Sequence, residues 1–484
     1  MAGVNMFGQR RPLPHRFNAA QTGALIAVSL AMFCIQVDFF ALNLVLPSMA
    51  RGFRVGADDV QWSVSAYMLS LGSLFILGGR LGDIYGRRAA LLAGIAAFGA
   101  ASIGCAIAPS LPALVLFRVL QGAGAALVFP VGIAVLSNAY PDEQRAHALG
   151  LLFAIANVGT ALGPFAGGGL ASGPGWRWIF WSLAVLCAGA FAVAMATVSD
   201  SRDPSAERRL DVLGAALVSA SVAAVSIAAD RGDTWGWGNA RTIGCFALAA
   251  LLLAAFIARE RRTAAPLVDL SLFRNLPYVL VTAMGAMSNI AYVVTVFAAS
   301  LYLQRVRGLS ALTAGLVFVG PSLLVALSGP LGARLGRYFR PTAVMAMAGV
   351  VAGSALFVLT FTPHGLPYVL VFSVAGLGFG LGWTFVNIST QDLVAKERAG
   401  EASGVVLTIV VTAGGIGVAA AATAISLLEH GGTPANAIDS TLRVIAGALI
   451  AAAVIVMAIR RQLVRRGLMA PLSMKQPWPP PAPS

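Results

Sequence analysis

The sequence predicts an all-α polytopic membrane protein: two six-helix bundles plus two extra linker helices, fourteen transmembrane segments in all. Three observations carry this prediction. Apolar residues come in runs of about 20 rather than in amphipathic stripes, and about 20 helical residues cross a hydrocarbon core of about 30 Å. Basic residues concentrate on alternate connections between those runs. A glycine-rich string near the start recurs 250 residues later.

The composition excludes a soluble chain. It is 58% hydrophobic and only 11% charged, with a mean hydropathy of +0.82, where soluble domains carry about 25% charged residues. The runs centre near Val28, Ser70, Ala97, Ala125, Val158, Leu186, Val218, Ala250, Gly285, Leu323, Ala352, Val374, Val411 and Ala451. An even count leaves both termini on one side, and charge says which. Of the 33 basic residues, 24 fall on the side of the termini, 8 on the other, and Arg118 lies inside a run. The positive-inside rule therefore places both termini in the cytoplasm. Trp62, Trp176, Trp178, Trp235 and Trp237 fall at outer boundaries and Tyr85, Tyr140, Tyr278 and Tyr338 at inner ones, as interfacial belts require; Trp383 is the exception, inside the twelfth segment.

The net charge of +14 would suggest nucleic acid in a soluble protein. Here it is spent on loop asymmetry, and no nucleic-acid or phosphate-loop motif accompanies it. Cys34, Cys105, Cys187 and Cys245 all lie in apolar segments without metal spacing, so neither a disulfide framework, a metal nor a cofactor is expected. Residues 1–17 are basic like the start of a signal peptide, but the apolar stretch that follows is too long for a cleaved one and reads as a retained first helix.

The first segment carries a single charge between Ala19 and Leu46, Asp38, in the stretch 37–47 (VDFFALNLVLP). A carboxylate at mid-membrane costs roughly 2.5–3.5 kcal/mol on insertion scales, so it faces protein or a water cavity and marks a working site. Arg118 is the second such charge. It lies roughly 9 Å below the outer end of the fourth segment and Asp38 roughly 12 Å below the outer end of the first, so the two can pair. A static structural pair is the plain alternative, but an expensive way to hold helices together.

The repeat places residues 79–88 (GRLGDIYGRR) over 329–337 (GPLGARLGR), with Gly79, Leu81, Gly82, Gly86 and Arg87 matched and Asp83 replaced by Ala333. Two six-helix halves with a two-helix insert produce this offset, as parallel transporter repeats do. The expected units are a tail at 1–18, a first bundle at 19–198, a linker with two helices at 199–275, a second bundle at 276–461 and a Pro-rich tail at 462–484. Residues 259–275, basic then amphipathic, are expected to lie at the membrane surface. The string at 79–88 reads as a conformational latch built on Gly79, Asp83, Gly86, Arg87 and Arg88, or more simply as a well-packed charged loop.

With these strings in place, the sequence resembles the major facilitator superfamily. Residues 79–88 look like its signature loop after the second helix, and 37–47 like the first-helix motif of its fourteen-span drug:proton antiporter branch. Residues 118–124 (RVLQGAG) are similar to its fourth-helix motif, 159–168 (GTALGPFAGG) to its antiporter motif in the fifth helix, and 266–275 (PLVDLSLFRN) also match that branch. Ile84 departs from the pattern, where the family has a basic residue. The resemblance implies a proton-coupled exporter working by alternating access, in whose fold the first and fourth helices both line the central cavity, which places Asp38 and Arg118 face to face there as the coupling pair. It assigns Gly159, Gly163, Pro164, Gly167 and Gly168 to the antiporter motif, although close helix packing would explain the glycines alone.

Candidate cavity residues are Phe39, Asn43, Asn289, Tyr292, Trp383 and Asn387, each of which, taken singly, is more often core packing than a ligand contact. Since Asp38 is the only deep carboxylate, the expected cargo is lipophilic and neutral or monocationic. Protons, cargo and the bilayer are the expected partners, nucleic acid is not, and a monomer is the expected functional unit in the cytoplasmic (inner) membrane. Export of one endogenous metabolite or siderophore is the alternative, and a non-transporting membrane sensor is the alternative of another class. No nucleotide-binding or nucleophilic motif supports an enzyme.

Overall fold

The computed structural model describes residues 17–172, 175–201, 210–263, 266–336, 338–362 and 364–465. It holds fourteen long helices: α1 Ala19–Phe53, α2 Ala57–Tyr85, α3 Arg87–Ile107, α4 Leu111–Ala139, α5 Asp142–Ser172, α6 Arg177–Thr197, α7 Val212–Trp235, α8 Ala240–Glu260, α9 Leu276–Leu301, α10 Ala311–Leu335, α11 Pro341–Leu359, α12 Leu366–Asp392, α13 Ala399–Glu429 and α14 Pro434–Arg465. Among the described residues thirteen are long and apolar enough to span a bilayer. The remaining one, α5, has 31 residues, ample length at about 1.5 Å per residue. The chain is a multi-pass membrane protein.

The helices begin where the sequence can satisfy free backbone donors. Asn18 Oδ1 accepts from Gln21 N–H at 2.7 Å while the Gln21 side chain accepts from Asn18 N–H at 3.1 Å, a closed capping box. Asp211 and Ser310 cap α7 and α10 in the same sense, and α9, α11 and α12 carry proline in their first turn. Only Gly86 separates α2 from α3, at φ +107°, a left-handed conformation that glycine adopts without strain. The first helix runs past the expected end at Leu46 to Phe53. Its extra turns are held where the Phe53 ring packs 5.4 Å from Trp176.

Helices α1–α6 enclose one apolar core, including Met32, Leu42, Tyr67, Phe98 and Phe153. Helices α9–α14 enclose another, including Tyr278, Leu356 and Phe385. The α7–α8 hairpin is not peripheral, because α7 packs on both α2 and α13. The connection at 266–275 is a correction to the sequence reading. Leu267 and Val268 are buried with Ile76, Val218, Phe256 and Val405 rather than lying at a surface. The buried Glu260 carboxylate accepts from Leu267 N–H at 3.2 Å and Val268 N–H at 3.4 Å. With these two N–H groups satisfied internally, the strap turns Leu267, Val268 and Leu272 inward while Phe273 stays exposed.

The bundles meet along two seams, α2–α13 and α5–α10. Gly79 lies so near the Gly400 carbonyl that no Cβ would fit, and Gly329 lies likewise on the Gly150 carbonyl. Both partners and both glycines are related by the same 250-residue offset, so the seams are copies of one contact. They close the end that carries Arg80, Arg87, Arg145 and Arg398, the basic end. Above them a cavity of about 540 Å³ opens toward the other end, where Gln61, Asp230 and Thr234 form its rim.

Candidate functional site

Arg118 Nη1 donates to Asp38 Oδ2 at 2.6 Å and to Gln121 Oε1 at 2.5 Å, and its Nε donates to the Ser63 carbonyl at 2.9 Å. Gln121 Nε2 donates to Ser102 Oγ at 2.9 Å and lies 3.4 Å from Asp38 Oδ1. The Tyr67 ring covers the guanidinium, with Cζ 4.1 Å from its centroid. Asp38 is 0% and Arg118 1% exposed. Two charges out of water are tolerable only when paired and hydrogen-bonded, and here the pair has both supports.

Local sequence explains the approach of the helices. A Cβ at Gly122 would stand 2.5 Å from the Tyr67 carbonyl oxygen, so RVLQGAG combines the cation with the glycine that lets α2 reach it. On the other flank, Cβ atoms at Gly159 and Gly163 would meet the Phe33 carbonyl oxygen at 2.7 Å and Phe40 Cβ at 2.7 Å, and one at Gly167 the Ala41 carbonyl. The α5 stripe thus clamps α1 on both sides of Asp38. The side chains at Pro164 and Gly168, like that of Asn43, lie outside the described residues.

The pair does not face the cavity, contrary to the expectation drawn from the resemblance. On α1 the cavity is bordered by Ile35, Gln36, Phe39 and Phe40. At 100° per residue Asp38 points away from them, into the first bundle. Phe39, Asn289, Tyr292 and Trp383 do border the cavity. The Asn289 amide is occupied, donating to the Val410 carbonyl at 3.0 Å, and Trp383 sets its ring edge-on to Phe153 of the other bundle at 6.4 Å. Asn387 does not border it; buried in α12, it donates to the Trp383 carbonyl at 2.8 Å. A second cavity of about 350 Å³ adjoins the first across Phe39, Phe40, Tyr292 and Phe379.

At the basic end Arg87 donates to Asp83 at 2.7 and 3.0 Å and reaches the Glu397 carbonyl across the seam. Asp83 Oδ2 accepts from Glu401 N–H at 2.8 Å, capping α13 from the opposite bundle. Arg88 donates to the Met195 carbonyl at 2.7 Å, and Gly79 and Gly86 serve as described above. Ile84, the departure from the family pattern, is buried. The Glu401 side chain collects Arg398, at 3.0 Å, and Asp269 N–H, at 2.7 Å, with Arg80 at 3.8 Å. Arg398 also donates to Asp269 at 2.8 Å. Beside the second seam Arg145 of α5 lies 3.6 Å from Asp392 at the end of α12.

Sequence reasoning missed Gln121, Tyr67, Glu401, Arg398, Asp269 and Asp230. Gln121 follows Arg118 by three residues on the same helix face and could have been found. Glu401 and Asp230 gave no local signal, since each acquires its role from a helix far away in sequence. Asp230 accepts from Ser65 Oγ at 3.1 Å and brings a carboxylate to the cavity rim from α7.

The Major Facilitator Superfamily model matches residues 28–420. The chain belongs to the Major Facilitator Superfamily. This facilitator is 34% identical over 393 residues to the Multidrug resistance protein Stp of Mycobacterium tuberculosis, covering 80% of this chain and 73% of that one. It is 31% identical to the Drug efflux pump JefA of the same organism, covering 78% and 75%. It is 27% identical to the Tetracenomycin C resistance and export protein of Streptomyces glaucescens, covering 79% and 71%. Its fold matches the crystal structure of the human organic anion transporter MFSD10 (TETRAN) with a TM-score of 0.63 at 14% identity, over 90% of this chain and 98% of that one. The facilitator is therefore a transporter of small molecules and not an enzyme.

Proposed function

We propose that this facilitator is a proton-coupled exporter of lipophilic small molecules, neutral or monocationic, working in the cytoplasmic membrane with both termini in the cytoplasm. The observation that carries the reading is the Asp38–Arg118 pair, sealed from water beside a cavity large enough for a drug-sized molecule. Phe39, Tyr292, Phe379 and Trp383 supply an apolar wall, and Asp230 places a carboxylate at the rim, which disfavours lipophilic anions. Relatives named for multidrug resistance and export support the direction.

With the basic end in the cytoplasm, the closed seams make this the outward-facing state. Moving Arg118 off Asp38 leaves a buried carboxylate whose charge is tolerable only if it takes a proton. Re-forming the pair expels that proton. The two bundles rock about the seams, and the proton enters from outside as cargo leaves. A proton crossing about 180 mV carries about 4 kcal/mol, enough to drive one such exchange. One carboxylate suffices, and a single monomer holds every part.

The test uses inverted membrane vesicles with an imposed pH gradient and a panel of neutral and monocationic lipophilic dyes. Wild type is expected to take up dye with coupled proton release, and Asp38→Asn to lose both. Gradient-driven uptake by Asp38→Asn with an unchanged pH profile would refute the assignment.

A further inference from the structure

The coupling pair and the cavity are separate compartments, and one side chain belongs to both. Tyr67 borders the cavity while its ring lies against the Arg118 guanidinium. Asp38, Arg118 and Gln121 do not border the cavity. Tyr67 is 0% exposed, and its buried hydroxyl has no hydrogen-bond partner among the described residues. A buried phenol normally finds one, so an orphan here marks a group whose partner arrives in another arrangement.

The backbone beneath it is fixed. Ser63, one turn before Tyr67, accepts from Arg118 through its carbonyl, and Ser70 Oγ donates to the Val119 carbonyl at 2.7 Å. Gly122 presses against the Tyr67 carbonyl itself. With α2 pinned to α4 above and below, any motion that uncovers Arg118 falls to the Tyr67 side chain rather than to its backbone. Behind the ring lie Arg118 and Gln121 of α4, Asp38 and Cys34 of α1, Cys105 of α3 and Cys187 of α6, a buried polar cluster.

We propose that Tyr67 is the gate between cavity and proton carrier: cargo entering the cavity displaces the ring, uncovers the guanidinium and opens Asp38 to proton exchange. Closed, the ring stops protons from passing when no cargo is present. Tyr67 is a positioning residue in this scheme, acting through Arg118. The proposal rests on the reading of Asp38 as proton carrier, and the test separates the two.

Purified full-length protein is reconstituted in liposomes holding a pH-sensitive dye, and proton leak is followed under an imposed gradient without cargo. The same proteins, in a background with C34A, C187A and C245A, are treated with a water-borne methanethiosulfonate. This reagent reads the one remaining thiol, Cys105, whose Sγ lies 3.7 Å from Gln121 Oε1 inside that cluster. Tyr67→Ala is expected to label Cys105 and to leak protons at least about tenfold faster than wild type, with Asp38→Asn in the same chain abolishing the leak. Tyr67→Phe keeps the ring and is expected to restore the seal in both assays. Tyr67→Val serves if the alanine variant fails to fold. Unlabelled Cys105 in the alanine and valine variants would overturn the gate. Labelling without an Asp38-dependent leak would overturn the proton-carrier reading and, with it, the link between gate and coupling.

Discussion

The Arg118 guanidinium spends its donors on Asp38, Gln121 and the Ser63 carbonyl, and its face on Tyr67. Gln121 is the keystone among the neutral partners, since its oxygen takes Arg118 and its nitrogen Ser102. Hydrogen bonds to charged groups contribute about 1.5–3 kcal/mol, and Leu is close to Gln in volume. Gln121→Leu should therefore destabilise the folded protein by about 1–3 kcal/mol. Thermal unfolding in detergent reads this, and an unchanged midpoint would show that the bond contributes nothing. Asp38 and Arg118 were legible in the sequence because a charge in an apolar run is costly wherever it occurs. Tyr67 was not legible, because an aromatic residue in such a run costs nothing until its neighbours are known.

Among the elements, the strap at 266–275 is the one whose role changed most. It ties the α7–α8 hairpin to α13 through Asp269, Arg398 and Glu401. Burial works against the charge on Asp269, but the Ser271 N–H and the Arg398 guanidinium outweigh it and hold the carboxyl below the usual carboxylate range. Its stabilising contribution is thus fully present above the unfolded value of about 4 and is lost only as pH falls through the lower folded value. Asp269→Asn is expected to cost about 0.5–1 kcal/mol, the range for a partly exposed pair. That cost should stay constant from about pH 8 to pH 5. A cost that varies within this window in pH-resolved unfolding would mean that the Asp269–Arg398 pair senses pH at the basic end. The amphipathic pattern of the strap was visible in sequence. Its inward turn depends on Glu260, whose acceptors meet the strap only in the folded chain.

At the scale of the molecule, two copies of one glycine contact close the basic end, yet they are not equal. Asp83 caps α13 across the first seam, while position 333, its repeat equivalent, is alanine and offers no acceptor. The first seam should therefore open last. A methyl group at Gly79 would overlap the Gly400 carbonyl, which is backbone and cannot swing aside. Gly79→Ala should force the seam apart and shift the protein toward the state open at the basic end, and Gly329→Ala should do the same at the second seam. Spin labels at Tyr85 and Tyr338, which are 59% and 71% exposed, read this as a longer mean separation than in wild type. An unchanged distance distribution in both variants would show that the seams are not the pivot of closure.

Fourteen apolar runs, a one-sided charge distribution and a 250-residue repeat sufficed to determine the class of fold. Each reports a one-dimensional requirement, namely a membrane thickness, a side and a duplication. The same economy made Asp38 and Arg118 conspicuous, because desolvation penalises a charge before any partner is specified. Which way the pair points, what covers it and which end is shut were decided only in three dimensions. Those depend on helix phase and on contacts between residues as far apart as Asp83 and Glu401. A run of apolar residues carries little phase information, since lipid and protein interior accept the same side chains.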